Sequence, residues 1–432
     1  MENNKCTSMT LLFVHGWGAD IASYGQLPQI ISDHLRSTSW RIEHLYLGQY
    51  ISVNDEVDLD DIANAFELAK NNIIGDSRFS VICHSTGAVV IRHWLQRYFS
   101  VNQLQRCPLK HLIMLAPANH GSALAQLGKS RLSRVAAWFK GHEPGIKILH
   151  WLELASLGQW QTNRASLDYD LSAHGIYCAV LTGETIDKSL YDYLNSYTAE
   201  PGSDGVVRSA AANMNYRYWR IEQHLSTRDG YQLSMQQMPL SAFEVLPKTS
   251  HSGKRYGIMA SITRRNYPNK PLLKRIQQIL RVDSLEQYQQ LTQAMLKSRD
   301  EQSRPAGYAM LVLRVWDDKQ QAVTDFDCIL LAGKDYRADQ FGRGFLSDKQ
   351  FNQKANNGLT FYFNMAKLGP AKQYWGFKIV ARPNQGVCFY QTLECHFSVE
   401  QQQVLIAQQT LIIDLVLKRQ LSTELFTFQK KG

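Results

Sequence analysis

The chain has 432 residues, a length that predicts two or three domains. Its 44% hydrophobic and 20% charged residues are ordinary for a globular protein, and they exclude a disordered or collagen-like chain. Lys and Arg outnumber Asp and Glu, which gives a formal charge of +9. This excess fits an affinity for anionic surfaces such as phospholipid headgroups. No basic-aromatic motif supports nucleic acid as a partner.

The seven cysteines are spaced irregularly and contain no C-x-x-C pair. An odd number without paired spacing disfavours a disulfide framework or a zinc site and favours a reducing compartment. The apolar run Met9–Val14 is too short for the core of a signal peptide, and no stretch approaches the roughly 18 apolar residues of a transmembrane helix. We therefore expect a cytoplasmic protein without a membrane span, and export by a specialised secretion system stays open.

The first third of the chain alternates short apolar runs with helical patterns. Strands are predicted over Thr10–Val14, Arg41–Leu47, Phe79–Cys83 and Leu112–Ala116, and helices over Leu27–Leu35, Leu59–Ile74 and Thr86–Phe99. Residues 121–175 are expected to form a helical cap or lid insertion, after which strands resume at Ile176–Thr182 and Phe243–Leu246. This order predicts the α/β class, with a mainly parallel sheet and helices on both of its faces.

The last third of the chain has a different pattern. A charged, proline-containing stretch over residues 298–307 is a predicted linker. It separates a first domain, residues 1–297, from residues 308–432, in which strand-like runs follow one another with little helix between them. These runs predict a smaller antiparallel β-sandwich. They are Met310–Val315, Phe326–Leu331, Leu359–Phe363, Phe377–Ala381, Val387–Leu393 and Leu411–Leu417.

The strongest local signal for chemistry is a serine between a buried strand and a helix. In the sequence CHSTGA, Cys83–Ala88, Ser85 stands at a turn that needs small residues two positions before and two positions after it. Gly87 meets this requirement, and Cys83 stands where glycine is usual. The helix from Thr86 would direct its free amides and the positive end of its dipole at the serine. The pattern favours a nucleophile; the alternative is a serine that only caps the helix.

A second signal, VHGWG, follows the first predicted strand. An acyl-transfer enzyme needs two N–H donors where the oxyanion of the tetrahedral intermediate forms. The backbone amides of Trp17 and Thr86 are the natural pair for this role. The residues that we expect to line the cleft are His15, Gly16, His84 and His120.

Two later segments offer the base and the acid that a serine nucleophile requires. Asp204 lies on the glycine-flanked turn Gly202–Val207, and His251 lies in the small-residue loop Thr249–Gly253. Together with Ser85 they follow the chain order nucleophile, acid, base. The rival acids are Asp187 and Asp229, and the rival bases are His224 and His120.

As a set, these segments resemble the α/β-hydrolase superfamily, and more narrowly the bacterial lipase-like and esterase-like serine hydrolases. The matching segments are VHGWG at Val14–Gly18, CHSTGA at Cys83–Ala88, LAPANHGS at Leu115–Ser122, GSDGVV at Gly202–Val207 and HSGKRYGIM at His251–Met259. The resemblance covers about residues 8–280 and implies that residues 1–297 form an α/β-hydrolase catalytic domain. The implied roles are nucleophile for Ser85, acid for Asp204, base for His251 and oxyanion donors for Trp17 and Thr86.

The resemblance implies two-step acyl transfer through an acyl-enzyme, with no metal and no organic cofactor. The segment Ala118–Trp160 mixes aromatic, aliphatic and basic residues as a lid over an acyl pocket would, and the alternative is a pair of ordinary amphipathic helices. A phospholipid or lysophospholipid ester is the first candidate substrate, and an acylglycerol is the next. Two other functions stay open: a lipid- or partner-binding protein with a degenerate hydrolase domain, and an acyltransferase that uses the same triad. The predicted sandwich would serve docking on lipid or on a protein that the sequence does not identify.

Overall fold

The computed structural model describes residues 9–15, 21–35, 40–49, 54–127, 145–186, 200–227, 229–301, 307–383, 388–399 and 403–421. The chain divides into two compact units. The first unit comprises Met1–Asn215 and Met238–Arg304, and the second comprises Tyr216–Gln237 and Pro305–Gly432. Each unit has a hydrophobic core of its own.

A six-stranded sheet forms the centre of the first unit. Its strands are β1 (Met9–His15), β2 (Trp40–Tyr46), β3 (Phe79–His84), β4 (Leu109–Leu115), β5 (Tyr177–Gly183) and β8 (Ala242–Leu246). The strands lie in the order β2-β1-β3-β4-β5-β8, and every neighbouring pair is parallel. This topology confirms the predicted α/β fold. Because the carboxyl ends of parallel strands share one edge, the loops after β3, β4 and β8 converge there.

Helices cover both faces of this sheet. They are α1 (Leu27–Leu35), α2 (Leu59–Ile74), α3 (Thr86–Tyr98), α4 (Ala123–Leu127), α5 (Ile146–Leu152), α6 (Leu157–Ser166), α7 (Ser209–Ala212), α8 (Pro271–Leu280) and α9 (Leu285–Glu301). Helices α1, α8 and α9 share a core with alternate strand residues such as Leu11 and Phe13. On the opposite face, α3 packs against α2 and places Trp94 beside Phe79 of β3.

The region between β4 and β5 contains α4, α5 and α6, where a helical cap over residues 121–175 was expected; residues 128–144 lie outside the described residues. The start of α5 is attached to the loop before α2. The Ile146 amide donates to Asp55 Oδ1 at 3.0 Å, and the Lys147 ammonium donates to the Glu56 carbonyl at 2.6 Å. None of the helices in the described ranges is long and apolar enough to cross a bilayer.

The second unit is a β-sandwich. Its strands are β6 (Arg217–Gln223), β7 (Tyr231–Gln237), β9 (Tyr308–Asp317), β10 (Asp325–Ala332), β11 (Leu346–Phe351), β12 (Gly358–Asn364), β13 (Tyr374–Arg382), β14 (Cys388–Tyr390), β15 (Leu393–Ser398), β16 (Thr410–Leu417) and β17 (Arg419–Leu421). One sheet has the order β11-β12-β9-β16-β6-β7, another has the order β10-β13-β15, and β14 pairs with β17. The two larger sheets enclose a core that includes Trp219, Leu313, Phe377 and Phe397.

The domain boundaries predicted from the sequence are wrong for the hairpin β6–β7. It lies within the range predicted as the first domain, residues 1–297, but it belongs to the second unit. The reason is that β6 pairs in parallel with β16, which in turn pairs in parallel with β9. This sheet is therefore mixed, whereas the other strand pairs of the second unit are antiparallel as expected.

Candidate active site

Ser85 lies between the end of β3 and the first turn of α3, with a φ of 53° and a ψ of −121°. A positive φ costs a residue with a side chain about 1–3 kcal/mol, so it persists only where the surrounding structure imposes it. The turn also needs small neighbours. Cys83 is fully buried and its thiol donates to the Ile113 carbonyl at 3.6 Å, so the residue that replaces the usual glycine is accommodated. This is the geometry of a nucleophile elbow.

The Ser85 side chain does not cap the helix that follows it. It makes no hydrogen bond to the amides of the first turn of α3. Its hydroxyl oxygen instead lies 3.1 Å from Nε2 of His251. The geometry therefore does not support the interpretation of Ser85 as a helix cap.

His251 and Asp204 extend a chain of hydrogen bonds from Ser85. Nδ1 of His251 lies 2.9 Å from Oδ2 of Asp204, and because a carboxylate only accepts, Nδ1 carries the proton. Nε2 can then accept the Ser85 hydroxyl proton. The second carboxylate oxygen, Oδ1, accepts the amides of Val206 at 3.0 Å and Val207 at 2.8 Å. Asp204 is fully buried, and these bonds fix the orientation of its carboxylate.

Backbone hydrogen bonds close the loop that presents His251. The Ser250 amide donates to the Tyr256 carbonyl at 2.8 Å, and the Ile258 amide donates back to the Ser250 carbonyl at 2.9 Å. The amide of His251 donates to the carbonyl of Asp204 at 2.9 Å. His251 and Asp204 are therefore joined through both backbone and side chain.

The turn that carries the acid is supported from the loop after β4. The Ser122 hydroxyl donates to the Val206 carbonyl at 2.6 Å. On the other side of the turn, the buried Arg208 guanidinium donates to both carboxylate oxygens of Glu200, each at 2.8 Å. Bidentate pairing of this kind fixes both partners in one plane. The segment Leu115–Ser122, one of those that resemble the family, thus helps to hold the turn that contains Asp204.

His84 lies beside the base as well as before the nucleophile. Its Nε2 donates to the His251 carbonyl at 3.1 Å, and the two imidazole rings lie 4.7 Å apart between centres. This contact with the backbone of His251 was not foreseen from the sequence, which only placed His84 among the cleft residues.

His120, a rival base, is engaged elsewhere. Its Nε2 donates to the Asn213 carbonyl at 3.2 Å, and its Nδ1 accepts from the Asn163 side chain at 3.1 Å. Burial, reinforced by the Arg92 guanidinium, lowers the pKa of His120 to about 3. His120 is therefore neutral near pH 7, and both of its ring nitrogens are bound to groups other than Ser85.

A buried polar network that the sequence did not predict surrounds Arg92. The guanidinium donates to the carbonyl and side-chain oxygens of Asn119 at 3.3 and 3.2 Å, to Asn163 at 2.8 Å and to Ser166 at 3.0 Å. It joins α3, the loop after β4 and α6. No local pattern signals such a network, because its members lie on separate elements and meet only in the fold.

The other predicted site residues have different positions. Thr86 is the first residue of α3 and is buried, and among the described residues nothing accepts a hydrogen bond from its amide. His15 is the last residue of β1. The rival acid Asp229 and the rival base His224 are exposed in the turn of the β6–β7 hairpin, in the second unit. Gly16, Trp17, the rival acid Asp187 and the side chain of His15 lie outside the described residues.

A narrow apolar crevice begins beside Thr86. Side chains from α2, α3 and α5 form most of its walls, so it lies between the elbow helix and the cap. Its lining consists of Leu47, Leu59, Ile62, Thr86, Val89, Val90, Ile148, Trp151 and Leu152. An almost wholly apolar lining next to the serine suits a hydrocarbon chain.

Comparison with solved structures gives matches over the whole chain and over parts of it. Phospholipase PlaB from Legionella pneumophila has 37% sequence identity and a TM-score of 0.89, over 98% of this chain and 96% of that chain. PlaB in complex with thio-NAD gives 36% identity and a TM-score of 0.88 over the same shares. The Bacillus licheniformis lipase BlEst2 has 16% identity and a TM-score of 0.41, over 63% of this chain and 94% of that chain. No protein-family model and no curated protein matches the chain.

Proposed function

The chain belongs to the family of phospholipase PlaB, and we propose that it cleaves fatty-acyl esters of phospholipids and lysophospholipids with Ser85, His251 and Asp204. Because the similarity covers 98% of the chain, it includes both units. Its activity is that of a carboxylic ester hydrolase that acts on lipids. To this activity we add the residues that perform the reaction and the class of lipid, one with a phosphate headgroup.

The proposed reaction has two steps. As Ser85 Oγ attacks the ester carbonyl, His251 Nε2 takes the hydroxyl proton, and Asp204 stabilises the imidazolium that forms. The tetrahedral intermediate collapses, the alcohol leaves with the proton from His251, and the acyl group stays on Ser85. Water then attacks the acyl-enzyme, with His251 again taking and returning a proton. The fatty acid leaves and the serine hydroxyl is restored.

The oxyanion of each intermediate needs donors that are in place before the reaction. We assign one donor to the backbone amide of Thr86, which stands at the positive end of the α3 dipole. Its lack of an acceptor in the described part of the chain supports this role. The second donor would be the amide of Trp17, two residues after the end of β1 in the sequence. Loss of one such donor typically costs 100-fold to 1000-fold in kcat.

The acyl chain would occupy the apolar crevice beside Thr86. Val89 and Val90 line it from α3, while Ile148 and Trp151 line it from α5. Since the crevice is narrow, the acyl chain of the substrate enters as α5 moves away from α2. This assigns a lid function to the part of Ala118–Trp160 that contains α5.

The observation that carries the proposal is the chain of hydrogen bonds from Ser85 through His251 to Asp204, at 3.1 and 2.9 Å. It is joined to a serine whose backbone is held at a positive φ of 53°. A buried hydrogen-bond network with a structural role would not need the strained elbow. The combination supports an activated nucleophile.

Labelling with a fluorophosphonate probe tests the proposal. The serine oxygen displaces fluoride from phosphorus, so mass spectrometry should find one adduct on Ser85. The variants Ser85→Ala and His251→Ala should take no label. Neither variant should release fatty acid from phosphatidylcholine. Matched controls are Ser252→Ala, in the same loop as the base, and His224→Ala, an exposed histidine of the second unit. Both controls should keep the label.

Product analysis separates the alternatives that the sequence leaves open. Free fatty acid as the acyl product supports hydrolysis, and transfer to an added alcohol in preference to water supports an acyltransferase. A folded wild-type protein that binds phospholipid but takes no label would refute the proposal in favour of a binding protein.

A further inference from the structure

The positive charge of the chain is concentrated in one segment. Between Glu244 and Asp283 there are nine Lys and Arg residues and no Asp or Glu. The rest of the chain is formally neutral, because it holds 38 Lys and Arg against 38 Asp and Glu. The segment contains the loop that carries His251 and the helix α8. The net charge is therefore a property of the part of the chain that carries the base.

In the described part of the chain, most of these cations have no acidic partner. Arg264 pairs with Asp33, Arg275 pairs with Glu244, and Lys270 donates to Ser261 Oγ at 3.2 Å. No carboxylate of the described residues pairs with the other six. These six, all exposed, are Lys248, Lys254, Arg255, Arg265, Lys274 and Arg281.

Three of the six cations flank the base. Lys248 precedes His251 by three residues, Lys254 follows it by three, and Arg255 follows it by four. Because an extended chain spans at most about 3.6 Å per residue, the Cα atoms of Lys248 and Lys254 lie within about 11 Å of that of His251. The same limit places the Cα atom of Arg255 within about 14 Å. The backbones of these three exposed cations, which we call the rim, are therefore near the backbone of His251.

The loop holds two of these cations in a fixed turn. The Gly257 amide donates to the Gly253 carbonyl at 3.1 Å, so Lys254 and Arg255 occupy the tip of a closed turn. A Cβ on Gly257 would lie 2.2 Å from the Gly253 carbonyl oxygen, so the turn requires glycine there. The Arg255 guanidinium lies 4.9 Å from the centre of the Tyr256 ring. Lys254 and Arg255 are therefore presented from a hydrogen-bonded turn.

We propose that Lys248, Lys254 and Arg255 bind the phosphate of a phospholipid substrate while its ester lies at Ser85. This inference rests on the proposed function and specifies the feature of the substrate that is recognised. A phosphodiester offers several acceptor oxygens to these cations, and charge-assisted hydrogen bonds are the stronger class. An acylglycerol has no anionic group that could take the place of the phosphate. The rim would therefore favour phospholipids over neutral esters with the same acyl chains.

The test compares two esters below their critical micelle concentrations, so that no lipid surface is present. These are dihexanoylphosphatidylcholine and dihexanoylglycerol. In the variant Lys248→Gln/Lys254→Gln/Arg255→Gln, the ratio of kcat/KM for the phospholipid to kcat/KM for the glyceride should fall roughly 10- to 100-fold. The matched control is Arg265→Gln/Lys274→Gln/Arg281→Gln, which removes the same charge from the same segment and should change that ratio less than about threefold.

Several outcomes would overturn the inference. An unchanged ratio means that the rim does not recognise phosphate, and equal losses on both esters mean that the substitutions disturb the base loop. Equal effects of the two triple variants mean diffuse attraction by the whole segment. A loss that appears only with anionic vesicles means docking on a membrane surface and not recognition of the substrate.

A binding measurement separates this inference from the proposed function. Calorimetry on Ser85→Ala with dihexanoylphosphatidylcholine reports affinity without hydrolysis, and the rim variant should weaken it by a similar factor. Inorganic phosphate serves as the second ligand; tighter binding of phosphate than of the phospholipid would refute a substrate site. If the wild-type protein hydrolyses neither ester, the proposed function fails, whereas normal hydrolysis with unchanged affinity in the rim variant refutes the phosphate site alone.

Discussion

Asp204 divides its two carboxylate oxygens between the imidazole of His251 and the backbone of its own turn. Oδ2 lies 2.9 Å from Nδ1 of His251, while Oδ1 accepts the amides of Val206 and Val207. The two amides leave Asp204 one orientation, in which a single oxygen faces the imidazole. The turn thereby fixes the tautomer of the base before any substrate is bound.

Asp204→Asn should preserve the fold and reduce kcat by about a thousandfold or more. In the variant, the side-chain oxygen stays with the amides of Val206 and Val207, so the NH₂ group faces His251. Nδ1 must then accept, the proton moves to Nε2, and the base can no longer take the Ser85 proton. Measurements of ester hydrolysis check the loss of kcat, and thermal unfolding checks that the fold is preserved.

The exposed rival Asp229 supplies the matched control. Asp229→Asn removes the same charge from the second unit and should leave kcat near the wild-type value. A larger loss from Asp229→Asn than from Asp204→Asn would show that the acid has been assigned to the wrong residue.

His84 is a positioning residue in this arrangement, since it holds the His251 carbonyl at 3.1 Å and packs against its ring. His84→Ala should lower kcat by about tenfold while KM changes little, because a small displacement of the base affects the reacting geometry more than substrate binding. His84→Gln retains an N–H donor and should recover part of kcat. A rise in KM without loss of kcat would instead place His84 in substrate binding.

Trp151 should limit the acyl group that the crevice accepts, because its half-buried side chain forms part of the lining. Trp151→Ala removes an indole from the crevice and should raise kcat/KM for palmitoyl esters several-fold relative to butyryl esters. Leu157→Ala is the control, since this exposed leucine of the same cap does not line the crevice. Equal chain-length profiles in the two variants would place the acyl chain elsewhere.

Two buried histidines predict that the first unit loses stability in mild acid. Burial lowers the pKa of His111 to about 4 and the pKa of His120 to about 3. In the unfolded chain both groups titrate near pH 6.5, so below that pH the unfolded state binds protons that the folded state does not. Each histidine should therefore reduce the free energy of unfolding by about 2 kcal/mol between pH 7 and pH 5.

The variant His111→Gln isolates one of these contributions. His111 accepts from Ser80 at Nδ1 and donates to the Val282 carbonyl at Nε2, at 2.7 and 2.8 Å. Glutamine does not titrate in this range, so the melting temperature of the variant should start lower at pH 7 but fall less steeply towards pH 5. Parallel curves for the two proteins would show that His111 has no part in the acid sensitivity.

Local sequence patterns were sufficient for the first unit because its elements are set by short-range signals. Helix α2 has the predicted bounds Leu59–Ile74, since Asp58 and Asp61 form a capping box at its start and Gly75 ends it. The strand that ends at a serine predicted the elbow in the same way. The rule on chain order then selected Asp204 and His251, which the structure brings into one hydrogen-bonded chain with Ser85.

Features that depend on residues far apart in the chain could not be predicted in this way. The contact of His84 with the His251 carbonyl and the network around Arg92 exist only once separate elements have packed. The net charge of the whole chain also concealed the segment on which that charge is concentrated. The hairpin β6–β7 was missed although Tyr231–Gln237 alternates in polarity. The reason is that β16, with which β6 pairs, follows β6 by nearly half the length of the chain.

The hairpin changes what is expected of a truncated protein. Trp219 and Ile221 of β6 are buried in the core that residues 305–432 complete. Deletion of residues 305–432 alone would expose these side chains and the open edge of β6, so the product should aggregate. A second variant also replaces Tyr216–Gln237 by a short Gly-Ser linker. The gap is short, because Asn215 exchanges hydrogen bonds with Ser241 at 2.9 and 2.8 Å.

This second variant should remain monodisperse, unfold cooperatively and hydrolyse a soluble ester, since all three proposed catalytic side chains lie in the first unit. Light scattering and activity on p-nitrophenyl butyrate distinguish the two deletions. Equal solubility of both variants would show that the hairpin folds without β16. An unfolded second variant would show that the first unit depends on the second for its stability, and the division at Tyr216–Gln237 would then not mark an independent catalytic unit.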